Sequence, residues 1–188
     1  MALHFSDISG PRIDLVKVSM NGLNDMHEYS INPDFYQYLE YEPFKTIDDS
    51  RQYLEKLIEM SKTQNDHFWF IRLKNENKIV GTFGVRNINQ RRQTAEIGYG
   101  VSPLYWNQGI FRETLETVMD YLFNKLNFFR ISAITRFDNL PSIKTLTNLG
   151  FIKEGVFRKY YLSYDNHRYD AILFSILKDD FTNHLLKT

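Results

Sequence analysis

The stretch from Glu96 to Ile110 constrains the fold of this chain more than any other part. It reads as a strand interrupted by Gly98 and Gly100, a short loop, and the start of a helix. The helix shows apolar residues at a spacing of three and four, namely Leu115, Val118, Met119, Leu122, Phe123 and Leu126. A strand that enters a helix through a glycine-containing loop directs unpaired N–H groups at one point, at the positive end of the helix dipole. The sequence therefore predicts a ligand that carries a pyrophosphate.

The length and composition of the chain exclude several partners and several kinds of site. With 188 residues, the chain fits a single domain over residues 1–188. A formal net charge of zero argues against nucleic acid as a partner, and the absence of cysteine excludes disulfides, thiolate metal sites and a cysteine nucleophile. No apolar run is long enough to span a bilayer and the first residues lack a signal-peptide pattern, so we expect no membrane partner and a cytoplasmic location.

The hydrophobic pattern predicts elements in the order β-αα-βββ-α-β-α-ββ. The expected strands cover residues 12–20, 68–73, 79–85, 94–101, 129–135, 151–161 and 171–177. Helical character over residues 24–41 breaks near Asn32 and Pro33, and a capping box from Thr46 to Asp49 opens the next helix. Pro141 stands in the first turn of the last predicted helix, which Gly150 ends. This order predicts an α+β fold with helices on both faces of one sheet.

Three motifs follow one another on these elements. The first motif is Tyr105-Trp106-Asn107-Gln108-Gly109-Ile110-Phe111. The second is Asn139-Leu140-Pro141-Ser142 followed by Asn148-Leu149-Gly150-Phe151. The third is Gly155-Val156-Phe157-Arg158 followed by Tyr169-Asp170. Together with the order of elements, they resemble the GNAT superfamily of acetyl-CoA-dependent N-acetyltransferases. The resemblance covers residues 12–181, and it is strongest to the branch of the ribosomal-protein N-terminal (alanine/serine) acetyltransferases.

The resemblance implies a mixed, mostly antiparallel central sheet of about seven strands, and acetyl-CoA as cosubstrate. Asn107 replaces a glycine of the branch, and asparagine tolerates a positive φ better than most residues. Phe111 replaces a small residue, so its side chain must turn away from the phosphates. The residues implied to contact the cosubstrate are Tyr99, Gly100, Val101, Asn107, Gln108, Gly109, Ile110, Phe111, Arg112, Asn139 and Ser142.

The resemblance also bears on the departure of the thiolate. Many GNAT enzymes carry a tyrosine acid seven residues after the motif asparagine, where this chain has Leu146. The branch instead implies that Ser142 lies near the sulfur and that Asn139 contacts the pantetheine. Both residues are also good helix caps, so a purely structural role stays open for each.

Glu96 is the candidate general base. In an extended strand it shares a face with Gly98 and Gly100, and two glycines beside a carboxylate leave room for a ligand against bare backbone. Glu96 can accept the proton of an attacking amine, directly or through water. Alternatively, it is a structural carboxylate paired with Arg86, Arg91 or Arg92.

The amine acceptor is expected at residues 27–44, where acidic and aromatic residues suit a cation. The candidates are His27, Tyr29, Tyr38, Glu40, Tyr41 and Glu42. The five histidines have no metal-ligand spacing, so no metal is expected. The sequence thus predicts an N-acetyltransferase that acts on a primary amine as a monomer or homodimer. The acceptor can be a protein N-terminus, a polyamine, an amino sugar or an antibiotic amine. The competing hypothesis is a catalytically silent acyl-CoA-binding module.

Overall fold

The structure of the protein is a computed structural model that describes residues 3–185. Its strands are β1 (Ile8–Ser9), β2 (Ile13–Lys17), β3 (His67–Leu73), β4 (Lys78–Asn89), β5 (Thr94–Val101), β6 (Arg130–Arg136), β7 (Ile152–Leu162) and β8 (Arg168–Leu177). Its α-helices are α1 (Leu23–Ser30), α2 (Ile47–Met60), α3 (Ile110–Asp120), α4 (Leu140–Asn148) and α5 (Lys178–Leu185). None of the helices within residues 3–185 has the length and apolar character needed to cross a membrane.

All eight strands form one sheet in the order β1-β2-β3-β4-β5-β6-β8-β7. Every neighbouring pair is antiparallel except β5 and β6, which run parallel. A parallel pair needs a crossover connection, and here α3 supplies it. The prediction of a mixed, mostly antiparallel sheet is confirmed.

Helices cover both faces of the sheet, as the alternation of strand residues requires. On β3, Phe68 and Phe70 belong to a core that includes Met26 of α1 and Leu54 of α2. Their neighbours Trp69 and Ile71 belong to the larger core on the opposite face, built on α3 and α4 with Leu115, Val118, Met119, Leu146 and Leu149.

The elements found differ from the predicted ones in two places. The sheet has an eighth strand, the two-residue β1, which is too short to leave a periodic pattern, and α5 follows the last strand directly. The predicted capping box is present, since the Thr46 side chain accepts from the Asp49 N–H and the Asp49 carboxylate accepts from the Thr46 N–H. The break at Asn32 and Pro33 is also present and separates α1 from a short 3₁₀ helix at Pro33–Tyr36.

One ion pair ties three neighbouring strands together at the far end of the sheet. Arg130 of β6 donates to both carboxylate oxygens of Glu154 of β7, with nitrogen–oxygen distances of 2.6 and 2.5 Å. The Ser175 hydroxyl of the intervening β8 donates to the same carboxylate at 2.7 Å. These donors favour the charged form and lower the pKa of Glu154 from 4.5 to about 2.

Replacing Glu154 with glutamine is expected to make the unfolding free energy depend less on pH in the acidic range. A carboxyl with a lowered pKa stabilises the fold above its unfolded pKa near 4.5 and loses this contribution as pH falls through about 2. The wild type should therefore exceed Glu154→Gln in unfolding free energy by about 1 kcal/mol or less at pH 7, because the pair is a third exposed and screened. Urea titrations from pH 7 to pH 2.5 measure the difference, which should shrink below pH 4.5. Glu59→Gln, from an exposed pair with Lys62, is the control; an equal loss there would contradict the special role of Glu154.

Candidate active site

The site begins where two neighbouring strands part. Strands β5 and β6 pair from Thr94 with Arg130 to Ile97 with Ala133, and no further. Beyond that point β5 continues to pair with β4 up to Val101, while β6 continues to pair with β8. The edge of β5 from Gly98 to Val101 that faces β6 is therefore left without a strand partner. Such an edge offers backbone N–H and C=O groups to an extended ligand.

The loop after β5 has the backbone that an anion site needs. Asn107 has a φ of 58° and Gly109 a φ of 77°, so the expectation that Asn107 tolerates the left-handed region is confirmed. Gly109 directly precedes α3, whose first turn has N–H groups with no partner inside the helix. Arg12 fixes this loop from β2's side, because its guanidinium donates to the Gln108 carbonyl at 3.0 Å and to Glu113 of α3 at 2.6 Å.

A cavity of about 370 Å³, here called the loop cavity, lies against this loop, β5 and the start of α4. Its lining includes ten of the eleven residues predicted to contact the cosubstrate: Tyr99, Gly100, Val101, Asn107, Gly109, Ile110, Phe111, Arg112, Asn139 and Ser142. Gln108 is the exception, because its side-chain amide turns back to donate to the Leu104 carbonyl at 2.9 Å. Sequence reasoning missed Lys144, which also lines the cavity; a lone lysine on a helix surface gives no signal.

Phe111 and Tyr99 explain how the loop accommodates a bulky residue. The two rings lie with their centroids 4.2 Å apart at a tilt of 39°. The Phe111 side chain is therefore directed toward β5 and packs on its tyrosine, as the need to turn away from the N–H groups predicts. The substitution adds a contact between the loop and the strand.

The most informative hydrogen bond of the site joins β5 to α4. The Tyr99 hydroxyl lies 2.7 Å from the Ser142 hydroxyl, and Ser142 is only 4% exposed. Asn139 caps α4 by accepting from the Ser142 N–H at 3.2 Å, so its capping role, one of the two open alternatives, is present. Burial raises the pKa of Tyr99 well above its ordinary value. The sequence analysis lists Tyr99 among the contacts of the cosubstrate but misses the contact of its hydroxyl with Ser142.

A second cavity of about 230 Å³, here called the aromatic cavity, lies on the α1 and α2 side of β4 and β5. It shares Tyr99, Gly100 and Asn139 with the loop cavity, so the two meet beside the gap between β5 and β6. The predicted acceptor residues that line it are Tyr29, Tyr38, Glu40 and Tyr41, and the candidate base Glu96 lines it too.

Two predicted acceptor residues lie elsewhere. His27 is occupied between α1 and α2, where its Nδ1 lies 2.9 Å from the Ser50 hydroxyl. Glu42 is exposed and lies 3.6 Å from the Lys45 ammonium. Neither lines the aromatic cavity, so the structure does not bring these two candidates together with the other four. A helical pattern alone does not reveal which face of residues 27–44 turns inward.

Glu96 makes no ion pair within 4 Å in the part of the chain that the structure describes, although Arg86 is its cross-strand neighbour. Its closest side-chain partner is the Asn87 amide, 3.5 Å from Oε2. The predicted alternative of a carboxylate fixed by Arg86, Arg91 or Arg92 is therefore absent. The carboxylate remains available to a ligand.

The two glycines of β5 have different functions. A Cβ atom on Gly100 would lie 2.6 Å from the Phe35 ring, so this glycine makes room for the protein itself. A Cβ atom on Gly98 would meet nothing within 4 Å. Of the two glycines expected to leave space for a ligand, only Gly98 does so.

The segment that covers the aromatic cavity, residues 33–44, is fixed to the sheet at several points. Phe35 lies over Gly100, the Arg136 guanidinium of β6 donates to the Gln37 carbonyl at 3.0 Å, and Glu40 accepts from the Leu162 N–H of β7 at 3.0 Å. Phe35, Tyr38 and Leu39 line both cavities. We call residues 33–44 the covering segment.

The amino-acid sequence itself matches a known family. Residues 12–152 match the family described as "Acetyltransferase (GNAT) domain". The chain belongs to the GNAT acetyltransferase family. It is an acetyl-CoA-dependent N-acetyltransferase, and the family resemblance expected from the motifs is confirmed at this level.

Similar proteins agree with this assignment. The uncharacterised N-acetyltransferase p20 of Bacillus licheniformis is 30% identical over 170 residues, which cover 90% of this chain and 95% of p20. The crystal structure of Mycobacterium smegmatis RimJ in complex with CoA-disulfide matches with a TM-score of 0.84 at 19% identity, over 97% of this chain and 94% of RimJ. Spermidine N-acetyltransferase from Vibrio cholerae, in complex with CoA and spermine, matches with a TM-score of 0.77 at 19% identity, over 92% of this chain and 99% of that enzyme.

Gly98→Val is expected to block the aromatic cavity selectively. The new side chain enters open space without backbone strain, so unfolding free energy should stay within about 1 kcal/mol of wild type. KM for the amine should rise roughly tenfold, about 1.4 kcal/mol, while acetyl-CoA affinity by titration calorimetry stays unchanged. Gly155→Val on β7 is the matched control, because a Cβ there also meets nothing within 4 Å and Gly155 lines neither cavity. A loss of acetyl-CoA binding in Gly98→Val alone would contradict the separation of the two cavities.

Proposed function

We propose that the protein transfers the acetyl group of acetyl-CoA directly to a primary amine, with both substrates bound at once. The observation that carries this proposal is the junction of the two cavities at Tyr99, Gly100 and Asn139. A thioester in the loop cavity and an amine in the aromatic cavity meet there without a covalent intermediate on the protein. In the described residues, no cysteine is available for one.

The loop cavity fits the parts of acetyl-CoA. The N–H groups of the first turn of α3 suit the pyrophosphate, and the side chains of Arg112 and Lys144 add positive charge. The unpaired edge of β5 from Gly98 to Val101 suits the amides of the pantetheine arm. Asn139 lines both cavities and Ser142 lines the loop cavity beside it, and the thioester is assigned to this end of the loop cavity.

The reaction then needs one proton acceptor and one stabiliser of the thiolate. The amine nitrogen forms a bond to the acetyl carbonyl carbon, and its proton passes to Glu96, directly or through a water molecule. The tetrahedral intermediate collapses, the carbon–sulfur bond breaks, and its electron pair leaves with the sulfur. The Ser142 hydroxyl donates a hydrogen bond to the departing thiolate.

The acceptor that the motifs favour is the N-terminal amine of a protein, because the second and third motifs resemble the N-terminal acetyltransferase branch. The exposed residues Glu40 and Tyr41 at the cavity suit an approaching chain end. A small polyamine is the second candidate. It is supported by the mixture of carboxylates and aromatic rings in the cavity, since both attract cations, and by the similarity to the spermidine enzyme. Turnover of peptides with free N-termini against spermidine, with mass detection of the product, distinguishes the two.

Glu96→Gln is expected to lower kcat at neutral pH by roughly a hundredfold, the lower end of what a general base contributes. The loss should ease as pH approaches the pKa of the amine, near 8 for an N-terminus and about 10.4 for a lysine-like amine, because the amine then arrives deprotonated. The pH dependence of kcat for both variants measures this. Full activity of Glu96→Gln at pH 7 would rule out Glu96 as the base.

Ser142→Ala is expected to lower kcat more than it weakens acetyl-CoA binding. Ser142 stabilises the thiolate by a hydrogen bond and transfers no proton to it, so the loss of kcat should be similar at every pH; kcat and calorimetric affinity of both variants measure it. The Ser142 hydroxyl does not cap α4, because Asn139 accepts from the Ser142 backbone N–H, which alanine retains. Unchanged kcat in Ser142→Ala would rule out this role of Ser142.

A further inference from the structure

The hydroxyl pair of Tyr99 and Ser142 has a direction that follows from acidity. Each hydroxyl can donate or accept, but a phenol is a stronger acid than an alkyl alcohol and is therefore the better donor. Neither hydroxyl makes a second side-chain hydrogen bond among the described residues. If Tyr99 donates to the Ser142 oxygen, the Ser142 proton stays free for a third group. Ser142 lines the loop cavity, so that group belongs to the cosubstrate.

We infer that Tyr99 is a positioning residue for Ser142: its hydroxyl donates to the Ser142 oxygen and thereby directs the Ser142 proton at the sulfur of CoA. The proposal rests on the proposed function of Ser142 and adds a residue to it. The tyrosine comes from strand β5, so it is distinct from the tyrosine acid that many GNAT enzymes carry at the position of Leu146.

The surroundings keep Tyr99 in this role. Its ring packs between Phe111, at a centroid distance of 4.2 Å, and Phe83 at 6.0 Å, so the side chain has little freedom to turn. Because burial raises its pKa, the hydroxyl stays protonated, and remains a donor, throughout the pH range in which the thiolate forms. The hydrogen bond from Tyr99 to Ser142 and the hydrogen bond from Ser142 to the thiolate also strengthen each other, because each donor polarises the next one.

Tyr99 therefore transfers no proton in the reaction. The electron pair of the broken carbon–sulfur bond stays on sulfur, the Ser142 proton is shared with it, and the Tyr99 proton remains on the phenol. The proton released by the amine goes to Glu96, and solvent later protonates the released thiolate. No oxidant, reductant or further reactant is needed.

Tyr99→Phe tests the inference, because it removes the hydroxyl and keeps the ring between Phe83 and Phe111. We expect kcat at pH 7 to fall roughly threefold to tenfold, as for one lost hydrogen bond, with acetyl-CoA affinity unchanged by calorimetry. Tyr121→Phe is the matched control, since it loses a buried hydroxyl that bonds Ser6 far from the site and should leave kcat unchanged at every pH.

A double-mutant cycle separates positioning from an independent effect. In the Ser142→Ala background, Tyr99→Phe should cause no further loss of kcat, because the residue acts only through the serine. Equal losses in both backgrounds would overturn the inference.

A second measurement needs no turnover. The ultraviolet absorbance of the thiolate gives the pKa of the CoA thiol in the bound complex. We expect this pKa to be lower in the wild type than in Tyr99→Phe, Ser142→Ala or the double variant, and the three variants to agree. If the wild type shifts the thiol pKa but acetylates none of the amines, the proposed function fails and the inference stands. If Tyr99→Phe leaves both the thiol pKa and kcat unchanged, the inference fails alone.

Discussion

The parting of β5 and β6 is the constraint on which the rest of the site depends. Two parallel strands that pair for four residues and then separate leave one open edge inside a sheet, and such an edge must be paired or covered. On the α3 side, the loop that precedes α3 and the start of α4 lie beside it. On the α1 side, the covering segment closes over it. The same gap therefore gives both cavities their common boundary, at Tyr99 and Gly100.

The covering segment shows how distant parts of the chain hold this gap in shape. Arg136 is the last residue of β6 and is only 7% exposed. Its guanidinium is paired with Asp138 and lies 3.6 Å from the centre of the Tyr169 ring. It also donates to the Gln37 carbonyl. A buried guanidinium is tolerated when its donors are occupied. Arg136 thus links the sheet to the covering segment.

Local patterns predicted the parts of the site that local physics determines. Strand alternation placed Tyr99 on the opposite face from Glu96, and the left-handed φ of Asn107 follows from its place in a glycine position. Contacts between residues far apart in the chain left no such pattern. The support of the loop by Arg12 joins residues about one hundred positions apart, and Glu40 accepts from the more distant Leu162. The contact of His27 with Ser50 left no pattern for the same reason, since Ser50 lies on another helix.

The contacts of Tyr99 give a common explanation for two departures from the family motifs, at Phe111 and at Leu146. The bulky Phe111 stands where the family motif has a small residue, and its ring packs on Tyr99. Tyr99 packs on Phe111 and lies within hydrogen-bond distance of Ser142, so three adjacent side chains connect the loop end of α3 to the start of α4. With Leu146 filling the core at 0% exposure, α4 offers no phenol of its own. Strand β5 supplies the Tyr99 hydroxyl next to Ser142. Phe111, the loop residue that departs from the motif, packs on the Tyr99 ring and keeps that hydroxyl in place.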